Sequence, residues 1–322
     1  MLDLKNPEGA GVLGRLAAKA DVLVEGFRPG VMDRLGVGWE TLRELNAALV
    51  YCAISGYGAD GPYALRAGHD LNYLAIAGVL GQVSPAEGPA SNLPIQLADV
   101  AGGSMNAVIG ILAALFDARR TGKGRFVDVS MTEGALQFLL PTLSDLLAGT
   151  VPERANGLLT GGAACYRVYL TKDGRELSVG SLEPQFWAAL CSAIERPELI
   201  AKQFEAMTPG SPLHADLEAV FAARTLDEWT QILEQVDACA EPVLSLDEVA
   251  RHPQHVARGL FQTDPDRPER TQLAAIGPRF DGAAPELLPP SPSPGEHTAD
   301  VLGEFGFDEA EIASLMESGA VR

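Results

Sequence analysis

Short apolar runs alternate with helical segments over the first 150 residues, and this alternation restricts the fold more than any other feature of the chain. The runs DVLVEG, ALVYCAIS and GRFVDVSM are short, continuous and apolar, which is typical of strands buried on both faces of a sheet. Between them lie segments with apolar residues at helical spacing, such as PEGAGVLGRLAAKA and DVAGGSMNAVIGILAALFDARR. Strands separated by helices indicate a parallel sheet, so we expect residues 1–150 to form an α/β domain.

The pattern changes near residue 155. The segment CYRVYLTKDGRELSVGS predicts an antiparallel hairpin that turns at Asp173 and Gly174, and three helical segments follow it. We therefore expect a smaller α+β domain over residues 155–275. The stretch GAAPELLPPSPSPGEHT holds five prolines and is typical of an extended linker. After it, GFDEAEIASLMESG predicts an amphipathic helix capped by Asp308.

The amino-acid composition disfavours several classes of binding partner. The formal net charge is −19, which disfavours binding to nucleic acid or to anionic membrane surfaces. No run of uncharged apolar residues is long enough for a membrane span, and the N-terminus lacks the basic flank and apolar run of a signal peptide. The cysteines form no CxxC pair and are predicted to be small core residues of a reducing compartment: Cys52, Cys165, Cys191 and Cys239. We expect a cytoplasmic protein with no nucleic-acid partner, no membrane partner and no metal.

A histidine and an aspartate stand together at the head of the apolar run AGHDLNYLAIAG. In one interpretation Asp70 caps a helix and His69 is a boundary histidine with its hydrogen bonds satisfied. In the other, His69 is a general base, because an imidazole is partly neutral near physiological pH. The spacing alone leaves both open.

A second aspartate, Asp99, stands at the start of the very apolar helix LADVAGGSMN and is followed by Gly102 and Gly103. It is either an N-cap or part of a ligand site. The ligand interpretation rests on the two glycines, which would let a ligand approach the backbone, and on the helix N-terminus, which favours an anion.

A glutamate and four cations complete the candidates. Glu183 in GSLEPQFW is either a first-turn residue of a helix or a functional carboxylate. Lys5, Arg28, Arg34 and Arg66 are each typical of a solvated surface charge, but near strand ends of an α/β sheet they are also suited to holding phosphates. The chain has no GxGxxG and no GxxxxGKS motif, so a dinucleotide or P-loop site has no support.

These motifs resemble the class III CoA-transferase family, and within it the α-methylacyl-CoA racemase branch. The resemblance rests on LDLKNPEG, DVLVEGFRPGVMDRLGVG, LVYCAISGYGADGPY, AGHDLNYLAIAGVL, LADVAGG, TGKGRFVDVSM, GGAACYRVYLTKDGRELSVGSLEPQFW and GEHTADVLGEFGF, which cover nearly the whole chain in order. It implies a Rossmann-like large domain (residues 1–150 and 282–322) and a small α+β domain (155–275). It also implies an interlocked homodimer, with the active site between the large domain of one subunit and the small domain of the other.

The resemblance further implies roles for individual residues. His69 and Asp99 would be the catalytic acid/base pair, Glu183 would support His69, and we take the backbone N–H of Asp70 as the donor to an enolate oxygen. The implied contacts to CoA are Leu2, Asp3, Leu4, Lys5, Phe27, Arg34, Leu35, Gly68, Leu71, Asn72 and Tyr73. We add Arg28 and Arg66 because of their charge. CoA is part of the substrate, so no separate cofactor is expected.

The implied activity is inversion of the α-carbon of 2-methylacyl-CoA thioesters, a reaction of fatty acid metabolism, with an acyl-CoA as the substrate. A class III CoA-transferase that uses Asp99 as the nucleophile is the first alternative. The histidine of GHD favours the racemase, because a transferase needs only the aspartate. The chain also has only Gly161 and Gly162 before the hairpin, without the longer glycine run of formyl-CoA transferases.

An inactive CoA-binding homologue is the second alternative. The family usually has a further N-terminal segment with a strand, a helix and an arginine that contacts CoA. We expect a form that starts at Met1 to be less stable and to bind CoA more weakly, because the loss of a strand and its helix exposes apolar surface and a sheet edge. The presence of His69, Asp99 and Glu183 speaks against inactivity.

Overall fold

The computed structural model describes residues 1–207, 210–264, 267–275 and 277–322. The chain divides into two compact units. The first comprises Met1–Arg154 and Pro292–Arg322, and the second comprises Ala155–Ser291. The sequence predicts that the chain returns to the large domain at residue 282, whereas the structure has this return at Pro292.

The first unit has three strands: β1 (Val22–Glu25), β2 (Val50–Ser55) and β3 (Phe126–Ser130). Its helices before β3 are α1 (Pro7–Ala17), α2 (Val31–Arg34), α3 (Trp39–Leu45), α4 (Asp70–Ile76), α5 (Val79–Val83), a π-helix (Ala98–Met105) and α6 (Asn106–Thr121). After β3 come α7 (Met131–Leu136), a 3₁₀ turn (Gln137–Leu139), α8 (Leu140–Leu147), and finally α14 (Thr298–Glu304) and α15 (Glu309–Glu317).

The three strands form one parallel sheet in the order β1-β2-β3. Val22 is opposite Val50, and Tyr51 is opposite Phe126. Val50 and Cys52 are fully buried because α6 covers one face of the sheet, as the continuous apolar pattern of β2 predicts. The predicted parallel α/β arrangement is therefore confirmed.

The C-terminal helices pack on the first helix of the chain. Val12 of α1 forms a buried cluster with Leu302, Phe307 and Val321, and Leu2 pairs with Val321 in a single β-bridge. As the sequence predicts, Asp308 caps α15: its carboxylate accepts a hydrogen bond from the Glu311 N–H at 2.8 Å. The C-terminal tail thus belongs to the unit that carries the parallel sheet.

Within its described residues the second unit contains two antiparallel sheets, one of three strands and one of two, and a cluster of helices. Its strands are β4 (Tyr166–Leu170), β5 (Glu176–Gly180), β6 (Ala240–Pro242), β7 (Phe261–Asp264) and β8 (Arg267–Leu273). Its helices are α9 (Pro184–Ala193), a 3₁₀ helix (Pro197–Lys202), α10 (Pro212–Phe221), α11 (Leu226–Leu233), α12 (Leu246–Val249) and α13 (Pro253–Ala257), preceded by an irregular helical turn (Leu158–Gly162). The predicted hairpin is β4–β5, with Tyr166 opposite Gly180. Its core includes Trp187, Leu190 and Leu217, all nearly inaccessible to solvent.

One continuous helical stretch in the described part of the chain, Ala98–Thr121, is long and apolar enough to cross a membrane by length and composition. A single such helix is weak support for a span, because the core helices of other proteins pass the same test. In this chain Ala107, Ala114 and Ala118 pack on the sheet, whereas Ile109 and Phe116 are exposed.

Candidate active site

His69 and Asp70 begin helix α4. His69 is the N-cap residue, its imidazole is exposed, and its backbone N–H donates to Asn72 Oδ1 at 3.1 Å. The His69 carbonyl in turn accepts the Asn72 N–H at 2.8 Å. The helix start is thus held by main-chain bonds around His69 and by the Asn72 amide.

The Asp70 side chain caps a different helix from the one it begins. Its Oδ1 accepts the backbone N–H of Asp99 at 2.9 Å, across 29 positions of sequence. The interpretation of Asp70 as the cap of its own helix is wrong, because His69 occupies that position. The bond instead brings the GHD motif and Asp99 together, which the sequence motifs could not show.

Asp99 lies half-buried at the second position of the π-helix, after Ala98. Leu97 occupies the N-cap position, so Asp99 is not an N-cap and its carboxylate is left for other contacts. π-Helical turns are rare and frequently occur at functional sites. The sequence predicts one uninterrupted apolar helix here; the structure has eight π-helical residues before α6 begins at Asn106.

The glycines after Asp99 serve helix packing. A Cβ on Gly102 would lie 2.7 Å from the Met131 carbonyl oxygen and 2.9 Å from the Ala135 nitrogen, and one on Gly103 would lie 2.9 Å from Met131 Cγ. A Cβ on Gly134 of α7 would lie 2.5 Å from the Gly102 Cα, which is closer still. Our expectation that these glycines let a ligand approach the backbone is therefore wrong: α7 occupies the space.

The environment of Asp99 favours its protonated form. Partial burial raises the pKa of the Asp99 carboxyl above its usual 3.8, and the negative charge of Asp70 raises it further. The charge of His69 acts in the opposite direction and lowers the Asp99 pKa. A carboxyl with a raised pKa is better suited to exchanging protons near neutral pH.

Tyr73 fixes the chain just before His69. Its hydroxyl donates to the Gly68 carbonyl at 2.6 Å, and its ring fills the space beside two glycines. A Cβ would lie 2.4 Å from Tyr73 Cε1 at Gly56 and 2.6 Å from it at Gly68. The Tyr57 ring packs edge-on against Tyr73 at 5.1 Å between ring centroids. The sequence identified Tyr73 only as a CoA contact and missed Tyr57.

A cavity of about 250 Å³ opens at His69. It joins two segments that are distant in sequence: its lining includes Phe27, Arg28, Arg66, Gly68, His69 and Tyr73. The Arg66 guanidinium lies 4.1 Å from the centroid of the Tyr63 ring, which holds this cation at the cavity by a cation–π contact. Two guanidinium groups beside an imidazole suit an anionic ligand.

The remaining predicted contact residues do not line this cavity. Residues 2–5 precede α1, where Asp3 Oδ1 accepts the Lys5 N–H at 2.9 Å. Arg34 ends α2 and Leu35 follows it as the C-cap. Leu71 and Asn72 are exposed residues of α4. Their predicted role in binding CoA stays a prediction.

Glu183 belongs to the second unit, whereas the GHD motif belongs to the first. It is the N-cap residue of α9, where its backbone carbonyl accepts the N–H groups of Phe186 and Trp187. Its carboxylate makes no capping hydrogen bond. The predicted support of His69 by Glu183 stays a prediction.

The cysteines differ from one another. Cys52, Cys165 and Cys191 are buried, as the sequence predicts, and burial raises the pKa of each thiol. A raised pKa argues against a thiolate nucleophile at Cys165. Cys239 was expected in the core but is exposed, with a φ of 48°, because it lies in the turn before β6.

Comparison with known proteins identifies the family. The sequence profile described as CoA-transferase family III matches residues 1–298. The chain is 40% identical to the alpha-methylacyl-CoA racemase of Homo sapiens over 318 residues, which are 98% of this chain and 82% of that protein. It is 33% identical to an acyl-CoA transferase of Fusarium pseudograminearum over 99% of this chain and 72% of that protein. Among solved structures, a hypothetical protein from Mycobacterium tuberculosis superimposes with a TM-score of 0.79 at 28% identity, covering 93% of this chain and 81% of that one. The chain belongs to CoA-transferase family III.

Proposed function

We propose that this protein inverts the configuration at the α-carbon of 2-methylacyl-CoA thioesters by proton transfer between two groups, His69 and Asp99. The observation that carries the proposal is the hydrogen bond from the Asp99 N–H to Asp70, the neighbour of His69. It ties an exposed imidazole and a carboxyl of raised pKa to one end of helix α4. The similarity to the human racemase supports the same activity.

In the proposed reaction one group removes the α-proton and the other returns a proton to the opposite face. The electron pair of the broken C–H bond passes into the thioester as an enolate, and it forms the new C–H bond when the second group donates. His69 and Asp99 exchange roles with the direction of the reaction. The thioester itself acidifies the α-proton, and no oxidant or leaving group is involved.

The enolate oxygen needs a fixed donor, and the backbone N–H of Asp70 is our candidate. It belongs to the first turn of α4, and within the described part of the chain no acceptor contacts it. Such a donor lowers the barrier by roughly 3–4 kcal/mol where it behaves as in an oxyanion hole. The helix N-terminus adds a favourable potential for the negative charge.

CoA recognition in this proposal uses the basic cavity beside His69. Arg28 and Arg66 supply positive charge in a protein whose net charge is −19, and they would bind phosphate or carbonyl groups of the thioester. The resemblance adds the segment Leu2–Lys5 and the pair Arg34–Leu35 to the CoA contacts. It also adds a homodimer in which Glu183 supports His69.

A CoA-transferase is the second candidate, because the chain is also related to an acyl-CoA transferase. In that reaction the Asp99 carboxylate attacks the thioester carbonyl, an acyl anhydride forms, and CoA leaves as the thiolate. His69 has no necessary part in that sequence of steps. Its exposed position at the head of α4 therefore favours the racemase.

The test is proton exchange at the α-carbon. Purified protein is incubated in D₂O with a 2-methylacyl-CoA of one configuration, and deuterium content and enantiomer ratio are followed together. We expect deuterium incorporation with loss of configuration, and loss of both in H69A and in D99N. Absence of exchange in the wild-type protein contradicts the racemase; adding an acceptor acid then separates a transferase, which moves CoA, from an inactive CoA-binding protein.

A further inference from the structure

The Asp70 carboxylate has a position that the proposed reaction does not use. The reaction assigns the backbone N–H of this residue to the enolate, whereas the side chain points to the π-helix and accepts the Asp99 N–H at 2.9 Å. The first N–H groups of a helix have no partner within that helix, so each needs an acceptor from elsewhere. Asp70 provides this acceptor for the N–H of Asp99, the residue that is proposed to transfer the proton.

We propose, on the basis of the function proposed above, that Asp70 is a positioning residue whose carboxylate fixes the backbone of Asp99 relative to His69. His69 and Asp70 are consecutive, and the His69 backbone is held by Asn72 at 3.1 Å. One short chain of covalent and hydrogen bonds thus connects the two proton-transfer residues.

Position matters because the two groups must reach opposite faces of one carbon atom. Proton transfer requires near-contact distances, and a displacement of about 1 Å reduces the rate about 100-fold. Close packing already fixes the middle of the π-helix, through Gly102 against α7. Asp99 lies at the N-terminal end of this helix, three residues before Gly102, and there the Asp70 bond adds to the packing a direct restraint on the Asp99 backbone.

Charge matters because Asp99 alternates between acid and base. The elements packed against the π-helix are α4, α6, α7, β2 and β3. The titratable residues of these elements, with the N-cap of α4, are His69, Asp70, Tyr73, Asp117, Arg119, Arg120, Glu133, Tyr51, Cys52 and Asp128. Among them, Asp70 raises the Asp99 pKa and His69 lowers it. Removing the charge of Asp70 while keeping an oxygen acceptor should therefore lower the Asp99 pKa without freeing its backbone.

Two variants of Asp70 separate position from charge. D70A removes the acceptor and the charge, whereas D70N keeps an Oδ1 acceptor and removes only the charge. The matched control is D308A, which also deletes an aspartate that accepts a helix N–H, at 2.8 Å, but on α15. A merely structural cap would make D70A and D308A alike, with similar falls in melting temperature and unchanged kcat.

The first readouts do not require racemase activity. Hydrogen–deuterium exchange of the peptide spanning residues 97–103 is followed by mass spectrometry in each purified variant, and the Asp99 carboxyl is titrated by ¹³C NMR. We expect D70A to lose protection in this peptide, D70N to keep most of it, and the Asp99 pKa to fall in D70N. Protection in D70A equal to that in D308A overturns the positioning role, and an unshifted Asp99 titration in D70N overturns the influence on charge.

The kinetic readout then connects the inference to catalysis. We expect kcat for α-proton exchange to fall about 100-fold in D70A with KM little changed. In the direction in which Asp99 is the base, we expect the acid limb of the pH profile to move to lower pH in D70N. An inactive wild-type protein with selective loss of protection in D70A contradicts the proposed function and leaves the positioning role standing. An active wild-type protein with unchanged kcat in D70A supports the proposed function and contradicts the positioning role.

Discussion

Gly102→Ala tests whether helix packing sets the position of Asp99. The added Cβ would lie 2.7 Å from the Met131 carbonyl oxygen and 2.9 Å from the Ala135 nitrogen, both backbone atoms of α7. Backbone cannot turn away as a flexible side chain can, so the π-helix and α7 must separate. Overpacking of a well-filled core typically lowers the free energy of unfolding by about 1–3 kcal/mol. Because the added Cβ meets backbone atoms on two sides, we expect G102A to lose about 3 kcal/mol.

The matched control is Gly11→Ala in helix α1. Beyond the backbone of its own helix, no atom of the described residues lies within 4 Å of a Cβ built on Gly11, so alanine meets open space there. Replacing glycine by alanine inside a helix should then raise the free energy of unfolding by about 0.5–1 kcal/mol. The two substitutions are chemically identical and should have opposite signs.

Urea unfolding followed by circular dichroism gives the free energies, and α-proton exchange gives the activity of each folded variant. We expect G102A to lose both stability and exchange rate, and G11A to keep its rate. If G102A is as stable and as active as the wild-type protein, the close approach of the π-helix to α7 does not hold Asp99, and the reasoning is refuted.

Two further predictions concern charge. R28A and R66A should each weaken CoA binding and make it less sensitive to salt, because each removes a guanidinium from the cavity at His69. Isothermal titration calorimetry measures this binding. The control R43A, a surface substitution on α3, should bind CoA as the wild-type protein does. In the second unit, the hydrogen bonds of the Arg175 guanidinium lower the pKa of Glu248 from its usual 4.5 to about 2. A lowered carboxyl pKa contributes stability that is present above pH 4.5 and lost as the pH falls toward 2. R175A should therefore melt below the wild-type protein at neutral pH, with a gap that narrows in acid; a constant gap in thermal melts across this range refutes the linkage.

The parallel sheet could be predicted because its signal is local. The run ALVYCAIS is apolar without alternation, and β2 is buried on both faces: Val50 and Cys52 pack against α6 on one face, and Tyr51 is buried on the other. The hairpin β4–β5 has a comparable local signal in Asp173–Gly174. In both cases the residues that determine the structure lie within the element itself.

The π-helix could not be predicted because its cause is not local. The sequence around Asp99 has an ordinary helical pattern, and the π-helical turns coincide with the contact between Gly102 and α7, about thirty positions away in sequence. The role of Tyr73 could not be predicted for the same reason. Gly56 and Gly68 are glycines because the Tyr73 ring fills the space where a Cβ would lie, and not because a turn requires them. A single sequence does not reveal which side chain fills the space beside a glycine.

The hydrogen bond between Asp70 and the Asp99 N–H decides between the two interpretations of these aspartates, as helix caps or as catalytic residues. At the level of sequence, capping and catalysis are alternatives for each of Asp70 and Asp99, because both stand at helix starts. In the structure Asp70 caps the helix that carries Asp99, and among the described residues Asp99 caps no helix. The capping bond of one carboxylate thus leaves the other free for chemistry while fixing its backbone. Capping by Asp70 is therefore not an alternative to a function at Asp99; it is the contact through which substitutions at Asp70 should reach the reaction.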